Sequence, residues 1–486
     1  MHKRLVLNLV SRILLVVCLT MLIPLGWALG ADPASQETRA FIFTIAIGLV
    51  VTLLIRKFLP FSKEAFEEIS AKDGLAVVGL SWIMVSAYGA LPLLLSGEVT
   101  SYTDAFFETV SGFTTTGATI MTNIESLPRG VKFWRSLTHW LGGMGIIVLS
   151  VALLPALGRG AYRLYRAEAP GPTAERLRPR IKETAKTLWT VYFLLSLMEV
   201  LLLMAGKMTL YDALCHTFGT MATGGFSTRS ASIGYYGPYI QWVVILFMFL
   251  AGTNFMLHFQ ALKGRSGSYL RSEEFRIYFL LAFLSVTFFV IVLSLQAGGF
   301  SEYTMRKATF QVVSILTTTG YTTSDFNLWP PILKILLITL MFIGGCAGST
   351  GGGIKVIRAW VGIKTGFRSI VQSVLPNAVI PIKIDSKPVS NTYVTLAASY
   401  FAIYISLFGF GTVFLTISDS ADLVTAFAAS IASLSNIGPG LAKVGAAENY
   451  AWISKPGKLI LSFLMLAGRL ELYSILVLLL PITWRK

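Results

Sequence analysis

Long apolar runs organise the chain. Hydrophobic stretches of the length needed to cross a bilayer, about 20 residues, recur near 8–29, 38–57, 74–96, 132–156, 187–206, 238–262, 275–296, 331–362, 392–417 and 457–483. No long polar domain separates them, so the pattern predicts an all-α polytopic membrane protein with ten crossings and both termini on one side. After the first two runs an order repeats four times: a long apolar run, a short polar loop, a shorter apolar segment ending in Thr and Gly, then another long run.

The shorter segments, 102–117, 211–224, 307–320 and 426–438, cannot cross the bilayer, yet each lies between two runs that need connecting on the outside. They are predicted to be re-entrant, each a half-helix followed by a glycine turn. Their terminal glycines, Gly117, Gly224, Gly320 and Gly438, lie roughly 100 residues apart, the even period of an internal fourfold repeat. The predicted organisation is two N-terminal helices (1–60), then repeats at 61–185, 186–270, 271–385 and 386–486.

Irregular backbone at membrane depth is tolerated only where protein or a water-filled path satisfies its polar groups. Four such stretches around one axis would line that path with the carbonyls of 115–118, 222–225, 318–321 and 436–439, replacing an ion's hydration shell. Glycine adopts positive φ and puts no side chain into the path. Each half-helix would point its partly negative C-terminus inward, which favours a cation. Gly and Thr in membrane segments also serve as packing residues; four similar stretches, each after a half-helix, point to the path.

Composition sharpens the class. Hydrophobic residues make up 54% of the 486 and charged residues 13%, about half the charged fraction of a soluble domain. The formal charge is +16, from 40 Lys+Arg against 24 Asp+Glu. Of those 40, 26 fall on Lys3, Arg4, the segments 56–73, 156–186, 263–276 and 355–387, and Arg485 and Lys486. That clustering marks cytoplasmic segments, with no nucleic-acid partner implied. Cys18, Cys215 and Cys346 lie in apolar stretches and build neither a disulfide framework nor a metal site. The basic start and apolar 13–29 stretch resemble a signal peptide, but that stretch is longer than such a segment's core and is expected to be a retained span.

Two further features stand out. The eighth run is interrupted at 344–353, where Gly344, Gly345, Gly348, Gly351, Gly352 and Gly353 disfavour a continuous helix; beneath the turns this would be a flap, or else a kinked packing helix. It is not a phosphate-binding loop, because Ile354 stands where Lys is required. Arg469 lies far from either interface, where a charge is costly and usually functional; a structural pair with Glu471 or a carboxylate on another helix is the alternative. Glu108 and Glu199 are candidate membrane carboxylates, Glu108 either adding negative field or accepting hydrogen bonds from neighbouring turns. His139, His216 and His258 have no metal or relay spacing. No convergent catalytic set is present, so no enzyme is expected.

These residues resemble the Trk/Ktr/HKT superfamily of potassium transport proteins over essentially the whole chain, most closely its TrkH-type membrane subunits. The resemblance implies four pseudo-symmetric helix–pore-loop–helix repeats around one pore, preceded by two additional helices. It implies a selectivity filter binding K+ through backbone carbonyls of Thr115, Thr116 and Gly117, Ala222, Thr223 and Gly224, Thr318, Thr319 and Gly320, and Asn436, Ile437 and Gly438. Gly117 in the first filter goes with potassium rather than sodium. The 344–353 loop and Arg469 would form the gate. The implied partners are a second copy in a homodimer, a cytosolic TrkA-type nucleotide-binding ring and the lipid bilayer, with K+ as cargo and no covalent cofactor. The implied location is the bacterial inner membrane with cytoplasmic termini. A proton- or sodium-coupled symporter is the alternative, since discontinuous helices also bind ions in such proteins.

Overall fold

The computed structural model describes residues 2–60, 71–145 and 181–484. The end of the 132–156 run, most of the basic segment 156–186, and Arg485 and Lys486 lie outside the described residues. Two helices come first, α1 (Lys3–Ala31) and α2 (Gln36–Phe58). Four groups follow, each a long helix, a short helix and a second apolar helix. The first holds α3 (Lys72–Leu95), α4 (Tyr102–Phe113) and α5 (Arg129–Gly143). The second holds α6 (Ile181–Ala205), α7 (Leu210–Met221), α8 (Pro238–Ala251) and α9 (Phe255–Leu262). The third holds α10 (Glu273–Gln296), α11 (Glu302–Leu316), α12 (Pro331–Ile343) and α13 (Val356–Val374). The fourth holds α14 (Asn391–Ser418), α15 (Leu423–Leu434), α16 (Lys455–Arg469) and α17 (Tyr473–Leu479). A two-residue antiparallel hairpin, Lys383–Ile384 with Lys387–Pro388, lies between α13 and α14.

Among the described residues six helices are long and apolar enough to cross a membrane, or seven if α8 and α9 count as one span. The sequence pattern predicts ten; the end of the 132–156 run lies outside the described residues, and the other three runs break part-way: α8 at Gly252 with a bend of 101° into α9, α12 at Gly344, and α16 at Arg469. The run 238–262 is therefore not one straight crossing, and neither is 457–483.

The short helices are the buried ones. At the exposed N-termini of α7, α11 and α15 a side-chain oxygen caps one of the open amides. Thr209 accepts from the Asp212 amide, Ser301 from Thr304 and Asp422 from Thr425. A chain of loop hydrogen bonds then ties each group to the next. Glu125 accepts from the Ser230 amide and hydroxyl, Thr322 O accepts from the Gly234 amide, Asn327 exchanges two bonds with Ala442, and Thr119 O accepts from the Tyr450 amide. Burial alone would raise the Glu125 carboxyl, but the Ser230 donors outweigh it and hold it below the usual range.

Candidate functional site

The turns after α4, α7, α11 and α15 share one backbone design. In each, the second residue past the helix is left-handed: Thr115 at φ 54°, Thr223 at 55°, Thr318 at 61° and Asn436 at 56°. Two residues later comes a positive-φ glycine: Gly117 at 81°, Gly225 at 82°, Gly320 at 80° and Gly438 at 93°. Between them, the amides of Thr116, Gly224, Thr319 and Ile437 reach back to Ser111, Gly219, Ser314 and Ala432 carbonyls at 2.7–2.9 Å. This is the Schellman closure, which normally uses glycine at the left-handed position. A β-branched residue there is strained by about 1–3 kcal/mol, so three threonines in that conformation mark turns held by their surroundings.

The shared design sets the register and corrects one residue. Gly225, not Gly224, stands in line with Gly117, Gly320 and Gly438, so the segment matching Thr115, Thr116 and Gly117 is Thr223, Gly224 and Gly225, and Ala222 falls one position earlier. Gly224 is a glycine for another reason: a Cβ there would enter the ring of His139. The four aligned glycines close a circle. A Cβ on Gly117 would overlap Gly224 O, on Gly225 Thr319 O, on Gly320 Ile437 O, and on Gly438 Thr116 O. Each glycine thus admits the carbonyl of the next group, and the fourth returns to the first.

Around the circle the side chains alternate. In the first and third turns flanking threonines are hydroxyl-bonded at 2.8 Å, Thr114 to Thr116 and Thr317 to Thr319, whereas the other two turns have no such pair. Behind the second turn, Phe226 stacks on His139 at 4.1 Å and lies under the Arg135 guanidinium at 4.2 Å. Arg135 pairs with the buried Glu108 at 2.7 Å, and Glu108 also accepts from Thr119 and the Ile120 amide. Glu108 is thus an acceptor for neighbouring turns with its charge compensated. Arg135, a charge inside the 132–156 run, is the residue that sequence reasoning passed over, and its place in an apolar run was the signal. Glu199 is fully buried on α6 with the Thr220 hydroxyl beside it.

The 344–353 loop sits directly against three of the turns. Gly344 at φ 78° ends α12, and Gly348 and Gly353 are also left-handed. The Gly352 amide donates to Thr318 Oγ1 at 2.7 Å, Thr350 Oγ1 donates to Met221 O at 2.9 Å, and a Cβ on Gly352 would overlap Ser435 O. Gly351 passes under Thr317 O, with a notional Cβ 3.0 Å away. The broken α8–α9 corner receives the far side: Cys346 donates to Gly252 O and Phe255 to Gly348 O. Glu274 takes the Ala347 amide at 2.6 Å, and the Lys355 ammonium is held to Gly351 O.

Arg469 joins this loop to the first group. One guanidinium nitrogen donates to Thr350 O at 2.6 Å, the other to Gly142 O and Gly143 O at 2.6 and 2.7 Å. The pairing with Glu471 allowed by the sequence is not formed; Glu471 pairs with Arg358. The arginine therefore completes the open carbonyl end of α5 while gripping the loop, a use of the strong hydrogen bonds a guanidinium makes.

A membrane-embedded bundle with cation-favouring helix ends around a closed ring of turns belongs to the class of ion transport proteins. Comparison with known proteins identifies the family: the TrkH family, described as cation transport protein, matches residues 41–483. The Trk system potassium uptake protein TrkH of Escherichia coli K12 is 41% identical over 100% of both chains. TrkG of the same organism is 33% identical over 100% of this chain and 99% of its own. The crystal structure of the potassium transporter TrkH from Vibrio parahaemolyticus superposes with a TM-score of 0.88 at 35% identity, covering 100% of both chains. The chain belongs to the TrkH family of cation transport proteins. It is a multi-pass membrane protein of a family of transporters, not enzymes.

Proposed function

We propose that this chain takes up potassium through the ring of four turns, the backbone carbonyls of 115–117, 223–225, 318–320 and 436–438 standing in for the ion's hydration shell. The observation that carries this reading is the closed circle of glycine-to-carbonyl approaches, since carbonyl rings are how such filters strip water from K+. The relatives' names, all for potassium uptake, support K+ as the cargo. Beneath the ring, Gly344, Gly345, Gly348, Gly351, Gly352 and Gly353 form a flap, and Arg469 latches it and sets a positive barrier under the path. A cytosolic TrkA-type nucleotide-binding ring acts on the latch, and two copies assemble in the bacterial inner membrane with their termini in the cytoplasm.

A proton-coupled symport is the second reading, favoured by the buried Glu199 carboxyl beside the α7 helix. The test is potassium and rubidium uptake by vesicles holding the purified chain, with a potassium gradient and no proton gradient. Uptake that follows the ion gradient and disappears in Gly320→Ser supports the gated ring. Uptake only when a proton or sodium gradient is imposed supports coupling.

A further inference from the structure

Asn436 is the odd residue of the ring. At the left-handed position the other three turns carry threonine, whereas the fourth carries a carboxamide that is fully buried. Asparagine tolerates this conformation better than a β-branched residue, but backbone comfort does not account for its contacts. Its Nδ2 donates to Thr116 Oγ1 of the first turn at 3.0 Å and to Met465 O of α16 at 2.9 Å. Met465 lies one helical turn before Arg469. The Asn436 Oδ1 points at Gly468, where a Cβ would come within 2.9 Å, and a Cβ on Gly352 of the loop would lie 3.1 Å from the Asn436 Cβ. One side chain of the fourth turn thus touches the first turn, the helix that carries the latch, and the loop.

We propose that Asn436 is a positioning residue that couples the flap and Arg469 to the ion preference of the ring. While α16 is latched, the carboxamide holds the fourth turn against the first. When α16 shifts, the bond to Met465 O drags the carboxamide, and its bond to Thr116 Oγ1 passes the movement to the first turn and changes the spacing of those turns. Threonine at this position builds the turn, as Thr115, Thr223 and Thr318 demonstrate, but its hydroxyl is too short to span to both Thr116 and Met465. The coupling rests on the potassium-pathway reading above.

The experiment is a double-mutant cycle on the rubidium-to-sodium uptake ratio of reconstituted vesicles, using the intact chain, Asn436→Thr, Arg469→Ala and the pair. Arg469→Ala is expected to shift the ratio by about threefold or more in the parent and by much less in the Asn436→Thr background. A merely structural role would change yield or stability and leave the two shifts equal. Equal shifts therefore overturn the proposal. If Asn436→Thr fails to elute as a folded protein, Thr116→Val serves instead, with the same expected loss of coupling, and Thr114→Val, which breaks the Thr114–Thr116 pair but leaves the Asn436 bond, is expected to keep the coupling. Absence of cation uptake by the parent vesicles would instead refute the underlying pathway reading.

Discussion

Arg469 offers the sharpest quantitative test of the latch. Among the described residues Arg469 bonds three carbonyls: those to Gly142 O and Gly143 O stay within the helical scaffold, and the bond to Thr350 O breaks if the loop swings away. A hydrogen bond from a charged donor contributes about 1.5–3 kcal/mol. Removing that share from the closed state raises the open-to-closed ratio by roughly tenfold to a hundredfold, since about 1.4 kcal/mol is one decade. The assay is the initial rate of rubidium uptake by vesicles containing Arg469→Ala without any cytosolic partner. Arg469→Lys separates latch from charge: it keeps the positive barrier but cannot serve carbonyls of both α5 and the loop. An intermediate rate is expected for lysine. An alanine variant that stays folded yet transports no faster than the parent would refute the latch, and a lysine variant matching the parent would assign the effect to charge alone.

Two other outcomes follow from the packing. Gly224→Ala and Gly225→Ala should both abolish uptake, but only the first should recover when His139→Ala is added, because a Cβ at 224 meets the imidazole and one at 225 meets Thr319 O; uptake by the two double variants checks this. Arg135→Met should lower thermal stability in detergent by about 3–5 kcal/mol, the cost of orphaning a buried carboxylate. Adding Glu108→Gln should restore most of that loss, as read by the midpoint of thermal unfolding.

Hydropathy alone located the six long apolar helices, the four short helices and the glycine-rich interruption, because length and composition decide whether a segment can cross lipid. It also singled out Arg469, since an isolated charge in an apolar run is visible without coordinates. The particular glycine was not legible. Met221-Ala-Thr-Gly-Gly225 offers two adjacent candidates, and the choice depends on the sign of φ and on which one faces a neighbour's carbonyl. Partnership was equally hidden: Glu471 lies two residues from Arg469, yet it pairs with Arg358, because α16 ends at Arg469 and Glu471 lies past that end in left-handed backbone at φ 58°.

The chain's own pattern therefore determined that this protein lives in a membrane, repeats one motif four times and interrupts a helix with glycine. The tertiary structure decided where the helices of 129–143 and 238–251 stop. A helix can end inside protein only where another group takes its open carbonyls, and here Arg469 and the loop amides arrive from other groups to take those of Gly142, Gly143, Ala251 and Gly252. The same closure of distant segments turned four separate turns into one ring.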